Sequence, residues 1–159
     1  MKPSQFKSSL TNPEHLRLGE LGEAYAAAYL DQLGYRLVAA NFTIAVGRTR
    51  RDATINSEID LIAYDGPTLC FIEVKTRASD WFAPPQVNVD RRKQRQIARA
   101  AHAYRRMLAL ENEPYRYDVV TVILGEDTTE SQNPQVELLK NYWREEKFKK
   151  RYRYVGFYD

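Results

Sequence analysis

Glu58-Ile59-Asp60-Leu61-Ile62-Ala63-Tyr64, the turn Asp65-Gly66-Pro67 and then Thr68-Leu69-Cys70-Phe71-Ile72-Glu73-Val74-Lys75 make two apolar runs around a Gly-Pro break. Such a pattern predicts a β-hairpin, and the second run is apolar enough to lie in the middle of a sheet. A charged pair nevertheless interrupts it. Residues two apart on a strand share a face, so Glu73 and Lys75 project together and Val74 points away. Pairing across the turn brings Asp60, thirteen positions before Glu73, toward the same place. A Glu-x-Lys pattern alone is usually a solvated ion pair. Inside Cys70-Phe71-Ile72-Glu73-Val74-Lys75 that reading fails, because burying charge costs free energy unless a partner such as a metal ion compensates.

Around this hairpin the chain alternates helix and strand signals. Asn12-Pro13 reads as an N-cap with proline at the first helical position, and Gly34 as the stop of a helix within Pro13 to Leu33. Leu18, Leu21, Tyr25, Ala28 and Tyr29 fall on one side at helical spacing, with Glu20 and Glu23 away from it, which predicts an apolar core face. Tyr35 to Val46 is β-prone, and Gly47 to Asp52 forms an arginine-rich turn. A loop through Pro84-Pro85 leads to an amphipathic helix at about Asp90 to Leu110. Its predicted core stripe is Ile97, Ala101, Tyr104 and Leu108. Asp118 to Leu124 is another central strand, and Gln135 to Leu139 a further candidate. The order is αβββαβ, an α/β class with a mixed sheet flanked by helices.

Composition agrees with one ordinary globular domain: 159 residues, 43% hydrophobic and 28% charged, net charge +3. Three segments are expected: a flexible N-terminus at 1–12, a domain at 13–143, and an extension at 144–159 that interleaves bases with aromatics. No run reaches the ~18 apolar residues of a membrane span, and Met1 to Thr11 lacks a secretory h-region, so no membrane partner and a cytoplasmic location are expected. Cys70 sits in an apolar run with no second cysteine and reads as core. His15 and His102 have no companions at metal-ligand spacing. Between Arg91 and Leu110 stand seven Lys or Arg and no acid. Arg92, Arg95, Arg99, His102 and Arg106 share the solvent side of that helix, with Lys93 nearer its core edge. A solvated basic face and a phosphate-binding one are equally good readings.

Two carboxylates, Asp60 and Glu73, with a backbone carbonyl offer hard oxygen ligands suited to Mg²⁺ or Mn²⁺. Lys75 beside them can orient the attacking water or neutralise charge at a phosphorus centre. Asp118, at the start of a buried strand, reads as a structural hydrogen-bonding residue.

These residues also carry a family resemblance. Gly22-Glu23, Ala26-Ala27, Tyr29-Leu30, Gly34-Tyr35, Asn41, Glu58 to Ala63, Phe71 to Arg77, Val89 with Lys93, and Arg116 to Val120 together resemble the YraN family of bacterial proteins. That family is similar to archaeal Holliday-junction resolvases and to the PD-(D/E)XK nuclease superfamily. The resemblance implies a restriction-endonuclease-like core with Asp60, Glu73 and Lys75 as the catalytic set, Mg²⁺ or Mn²⁺ as cofactor, and Glu23 as a further acidic residue facing the site. It further implies a DNA partner and a homodimer; Arg77 and Lys93, with Arg92, Arg95 and Arg99 of the basic helix face, are the expected nucleic-acid contacts. Ser57 replaces the family's usual glycine, the Asn41–Glu58 interval is longer than in most relatives, and the 144–159 extension has no counterpart. A non-catalytic nucleic-acid-binding or assembly module on the same fold is the alternative, and an RNA substrate stays open.

Overall fold

The computed structural model describes residues 13–78, 87–125 and 134–145. The elements are α1 (Pro13–Gln32), β1 (Arg36–Arg48), β2 (Thr54–Asp65), β3 (Thr68–Arg77), α2 (Arg91–Met107), β4 (Tyr115–Ile123) and β5 (Gln135–Trp143). This is the expected αβββαβ order with the fifth strand added. The strands form one five-stranded sheet in the order β1-β2-β3-β4-β5. Among the described residues only β3 and β4 pair in parallel, across the α2 connection. The mixed sheet between two helices is consistent with a restriction-endonuclease-like core. The Pro84-Pro85 loop and the segments 1–12 and 146–159 lie outside the described residues.

Side-chain alternation along the strands sorts the interior into two layers. On one face Leu69, Phe71, Tyr117 and Val119 pack with Ile97, Ala101 and Tyr104 of α2. On the other, Leu61, Cys70, Ile72, Val120 and Val122 pack with Ala26 and Leu30 of α1. Cys70 is core as expected, and burial pushes its thiol up to about 12.

α1 starts and stops where the sequence places it. Gly34 has φ +86, and the Tyr35 amide donates to the Leu30 carbonyl at 3.0 Å, a Schellman-type end. Its buried face, however, is not the predicted stripe. Leu21 is 47% and Tyr25 38% exposed, and Ala28 is exposed too, while Gly22, Ala26 and Leu30 face the sheet. Helix and sheet approach too closely here for large side chains. A Cβ on Gly22 would stand 1.8 Å from Thr76 Oγ1, so only glycine lets the helix backbone rest on β3. One consequence is that Glu23, placed away from the core by the helical wheel, is partly buried on the sheet side.

α2 is capped by Asp90, whose carboxylate accepts from the Lys93 amide at 2.8 Å. It ends at Met107, short of the predicted Leu110. Ala109 takes φ 54 and the Leu110 amide donates to the Arg105 carbonyl at 2.7 Å. Leu108 is therefore a 48% exposed cap residue, not the fourth rung of the core stripe. Ser57 is buried and donates its hydroxyl to the Gln96 carbonyl at 2.8 Å, tying β2 to α2. The Asn41–Glu58 interval continues the β1–β2 hairpin as paired strand up to Arg48↔Thr54.

The close approach at Gly22 yields a stability prediction. Gly22→Ala should lower stability by ~1–3 kcal/mol, the usual range for overpacking. Adding Thr76→Ala, which removes Oγ1 and Cγ2 but leaves Cβ 2.7 Å from the new methyl, should recover part of it. Chemical denaturation of both single variants and the double closes the cycle. A harmless Gly22→Ala would mean that the helix does not rest on β3 this closely.

Candidate active site

β2 and β3 pair from Asp65↔Thr68 up to Leu61↔Ile72, and the ladder stops there. Beyond this point the strands part, and the Asp60 side chain takes the place of the missing backbone partner: Oδ2 accepts from the Val74 amide at 2.7 Å. On the other side of β2, Asn41 sits between the pairs Ala40↔Leu61 and Phe42↔Ile59 with φ 50, a left-handed conformation that asparagine tolerates. Alternation breaks at the same place. Ile59 packs on the α2 face and Leu61, two residues on, on the α1 face. Asp60 occupies the split itself.

Glu73 and Lys75 share the α2 side of β3, as strand parity predicts, with Val74 packed toward α1. Glu73 is 4% exposed. Two ammonium groups reach the same oxygen: Lys75 Nζ lies 3.4 Å and Lys93 Nζ 3.5 Å from Oε1. Among the described residues, buried Oε2 has no hydrogen-bond partner. Lys93 comes from the first turn of α2, so the helix cap at Asp90 positions a charge at the strand's carboxylate.

Burial pushes the Asp60 carboxyl up to about 7, and the neighbouring Glu73 charge adds to the shift against the Val74 hydrogen bond and Lys93. Glu23 is raised as well, by burial first, with the carboxylates of Glu58, Glu20 and Glu73 contributing and the Asn41 side-chain hydrogen bond opposing. Glu23, Asp60 and Glu73 therefore act on one another around one split in the sheet, and Glu58 and Glu20 act on Glu23. The structure thus brings Asp60, Glu73, Lys75, Glu23 and Lys93 together. Glu58 is exposed, and its charge acts on Glu23.

Arg92, Arg95 and Arg99 are exposed along α2, and Arg77 is exposed at the end of β3, none of them at the carboxylates. Asn41 is the functional candidate that residue-by-residue reasoning missed. Apart from its place among the residues that carry the family resemblance, its only signal was an asparagine in a β-prone run, at a point where a strand needs a left-handed residue.

The donor chemistry decides whether a divalent ion fits. Two crowded carboxylates, one with an orphaned buried oxygen, are groups whose cost a bound Mg²⁺ or Mn²⁺ would remove. Among the described residues no three His, Cys, Asp or Glu side chains form a ready-made set. The fit is that of a sparse site completed by water, backbone and substrate oxygens.

Similarity to known proteins spans the part of the chain that carries this site. The family described as "Uncharacterised protein family UPF0102" matches residues 22–122. The chain is 40% identical over 129 residues to a UPF0102 protein of Koribacter versatilis, covering 81% of this chain and 80% of the relative. A UPF0102 protein of Chlorobaculum tepidum is 43% identical over 127 residues, 77% of this chain and 88% of its own. One from Chlorobium limicola is 46% identical over 108 residues, covering 67% and 74%. The matched span contains Glu23, Asn41, Asp60, Glu73, Lys75 and Lys93.

Asp60 gives a pH signature. A carboxyl whose folded pKa lies above its unfolded value favours folding when protonated, so its ionisation costs stability progressively as pH rises from about 4 to about 7. In metal-free protein, Asp60→Asn, which keeps the acceptor for Val74, should be more stable than the parent at pH 8 by at least about 1 kcal/mol. That gain should vanish near pH 4. Thermal melts across this range check it, and a gain independent of pH would remove Asp60's charge as the cause.

Proposed function

The chain belongs to the UPF0102 family, and from its site we propose that it is a divalent-metal-dependent endonuclease hydrolysing phosphodiester bonds in DNA within the cytoplasm. The observation that supports this most is Glu73. A carboxylate is built into the interior of a central strand with two lysines at one oxygen and, among the described residues, no hydrogen-bond partner at the other. A structural ion pair has no use for the orphaned oxygen or for the adjacent Asp60, which raises the cost of both charges.

Asp60 and Glu73 would hold Mg²⁺ or Mn²⁺, which supplies polarisation of the phosphate and a lower pKa for the attacking water. The remaining steps belong to the chain. Lys75 carries three N–H donors on the strand face next to Glu73, positioned to orient water and to offset negative charge as phosphorus gains a fifth oxygen. Lys93 offsets Glu73 from the helix side and offers a second cation to a non-bridging phosphate oxygen. Glu23, held by Asn41, borders the site on the α1 side and adds negative charge that favours a cation there. Arg77, Arg92, Arg95 and Arg99 are exposed and free to meet phosphates on either side of the cut, giving position without sequence preference.

The test is cleavage. Labelled linear, flapped and branched DNAs, with matched RNAs, are incubated with protein and Mg²⁺ or Mn²⁺. Asp60→Asn, Glu73→Gln and Lys75→Ala should each lower the rate by at least about 100-fold, and Lys75→Ala should retain nucleic-acid affinity. Tight DNA binding with no cleavage by the parent would instead favour a binding module. RNA cut in preference to DNA would change the substrate class.

A second measurement concerns the helix face. If Arg95 and Arg99 meet phosphates, Arg95→Ala/Arg99→Ala should flatten the dependence of log affinity on log salt for duplex DNA. The slope should shrink by about 0.9 for each phosphate no longer neutralised. An unaltered slope would make that face a solvated one.

A further inference from the structure

Past Glu73 on the same face of β3 lies a pocket of ≈ 230 Å³, lined by Lys75, Arg77, Val87, Asn88, Thr121 and Ile123 among others. It opens at the carboxyl ends of the parallel pair β3 and β4, the end of an open α/β sheet where ligands bind. Lys75 belongs to both places. It reaches Glu73 at 3.4 Å and also forms one wall of the pocket. With strands rising ~3.3 Å per residue, the pocket begins ~7 Å along β3 from Glu73. That is about the spacing of neighbouring nucleotides on an extended strand.

The lining specifies what fits. Two cations, Lys75 and Arg77, suit a phosphate at the mouth, Val87 and Ile123 offer apolar walls, and the Thr121 hydroxyl and Asn88 amide offer hydrogen bonds to a polar ring edge. The volume is below the ~300 Å³ at which sites for drug-sized ligands begin, so it takes one ring system and not a stacked base pair.

Resting on the nuclease reading above, we propose that this pocket receives a single unpaired nucleotide adjoining the scissile phosphate, so that the substrate is DNA with a base free of its stack. A base inside intact duplex would have to be unpaired and unstacked before entering, a cost that a flap, gap or single-stranded end does not carry. The pocket thereby selects for structure in the DNA and not for sequence.

Fluorescence anisotropy tests this with EDTA present so that no strand is cut, using equal-length duplexes with and without a short single-stranded extension. The parent should bind the extended DNA more tightly. Asn88→Leu, at an exposed position on the rim, and Thr121→Leu, which fills the pocket, should each lower affinity for the extended DNA by about tenfold and leave duplex affinity unchanged. Because Thr121 is buried and its variant can fail for want of folding, a second measurement uses the parent alone. A deoxynucleoside 5′-monophosphate should shift the methyl NMR signals of Thr121 and Ile123 in a saturable way. Equal affinity of the parent for both DNAs, equal loss on both in Asn88→Leu, or shifts confined to other residues would overturn the assignment. Selective binding without cleavage in Mg²⁺ would support the pocket while removing the nuclease reading. Cleavage that ignores unpaired bases would do the reverse.

Discussion

The structure depends on one substitution of partners: the Asp60 carboxylate, and not a β2 backbone group, accepts the Val74 amide hydrogen. A buried N–H must be satisfied, so the parting of β2 and β3 beyond Leu61↔Ile72 is sustainable only because a side chain reaches across the gap. The split in turn gives Glu73 and Lys75 a common open side, and lets Glu23 from α1 and Lys93 from α2 approach from opposite faces of the sheet. The close rest of Gly22 on Thr76 fixes the α1 side of that approach, and the Asp90 cap fixes the α2 side.

A second charged cluster shows why this one reads as functional. At the other end of the sheet Arg116 donates to Asp118 through Nε at 3.0 Å, and through its Nη2 to Asp65 at 2.7 Å and to the Tyr35 hydroxyl at 2.8 Å. Lys140 joins at Asp65, and the Asn141 amide donates to Asp118 at 2.7 Å. Those carboxylates are held by opposite charge and hydrogen bonds, as a network serving the fold requires. At the split two lysines reach one Glu73 oxygen while, among the described residues, the other has no partner, and Asp60 is pushed upward by burial and by Glu73. A fold keeps such a cost where an absent partner, or a reaction, relieves it.

Much of this was legible because it is local. The β2–β3 hairpin follows from two apolar runs around Gly66-Pro67, the Glu73–Lys75 face from strand parity, and the start of α2 from Asp90 and the basic amphipathic run behind it. Asp118 as a buried structural carboxylate was legible for the same reason. What failed depended on distance or on exceptional backbone. The α1 face was misread because close helix–sheet packing selects glycine and alanine, while Leu21 and Tyr25 remain outside. The end of α2 gave no signal, since a left-handed Ala109 stands where glycine is usual. Ile59 and Leu61 share parity in sequence but not in space, because Asn41 and the split break the alternation between them. Glu23 was placed correctly only by family resemblance, since nothing along α1 reports that Asn41 and the sheet lie beneath it. Arg116 as the hub of the second cluster could not be foreseen from its neighbours, because Tyr35 and Asp65 reach it from distant parts of the chain.

The claim at the centre is that Asp60 and Glu73 act together on one divalent cation. Titration of the metal-free protein with Mn²⁺, followed by the electron paramagnetic resonance signal of free Mn²⁺, tests it without requiring a substrate. One site should appear in the parent at pH 8 and be lost in both Asp60→Asn and Glu73→Gln while each variant stays folded by circular dichroism. A site that persists unchanged in both folded variants would contradict the account and place the metal elsewhere.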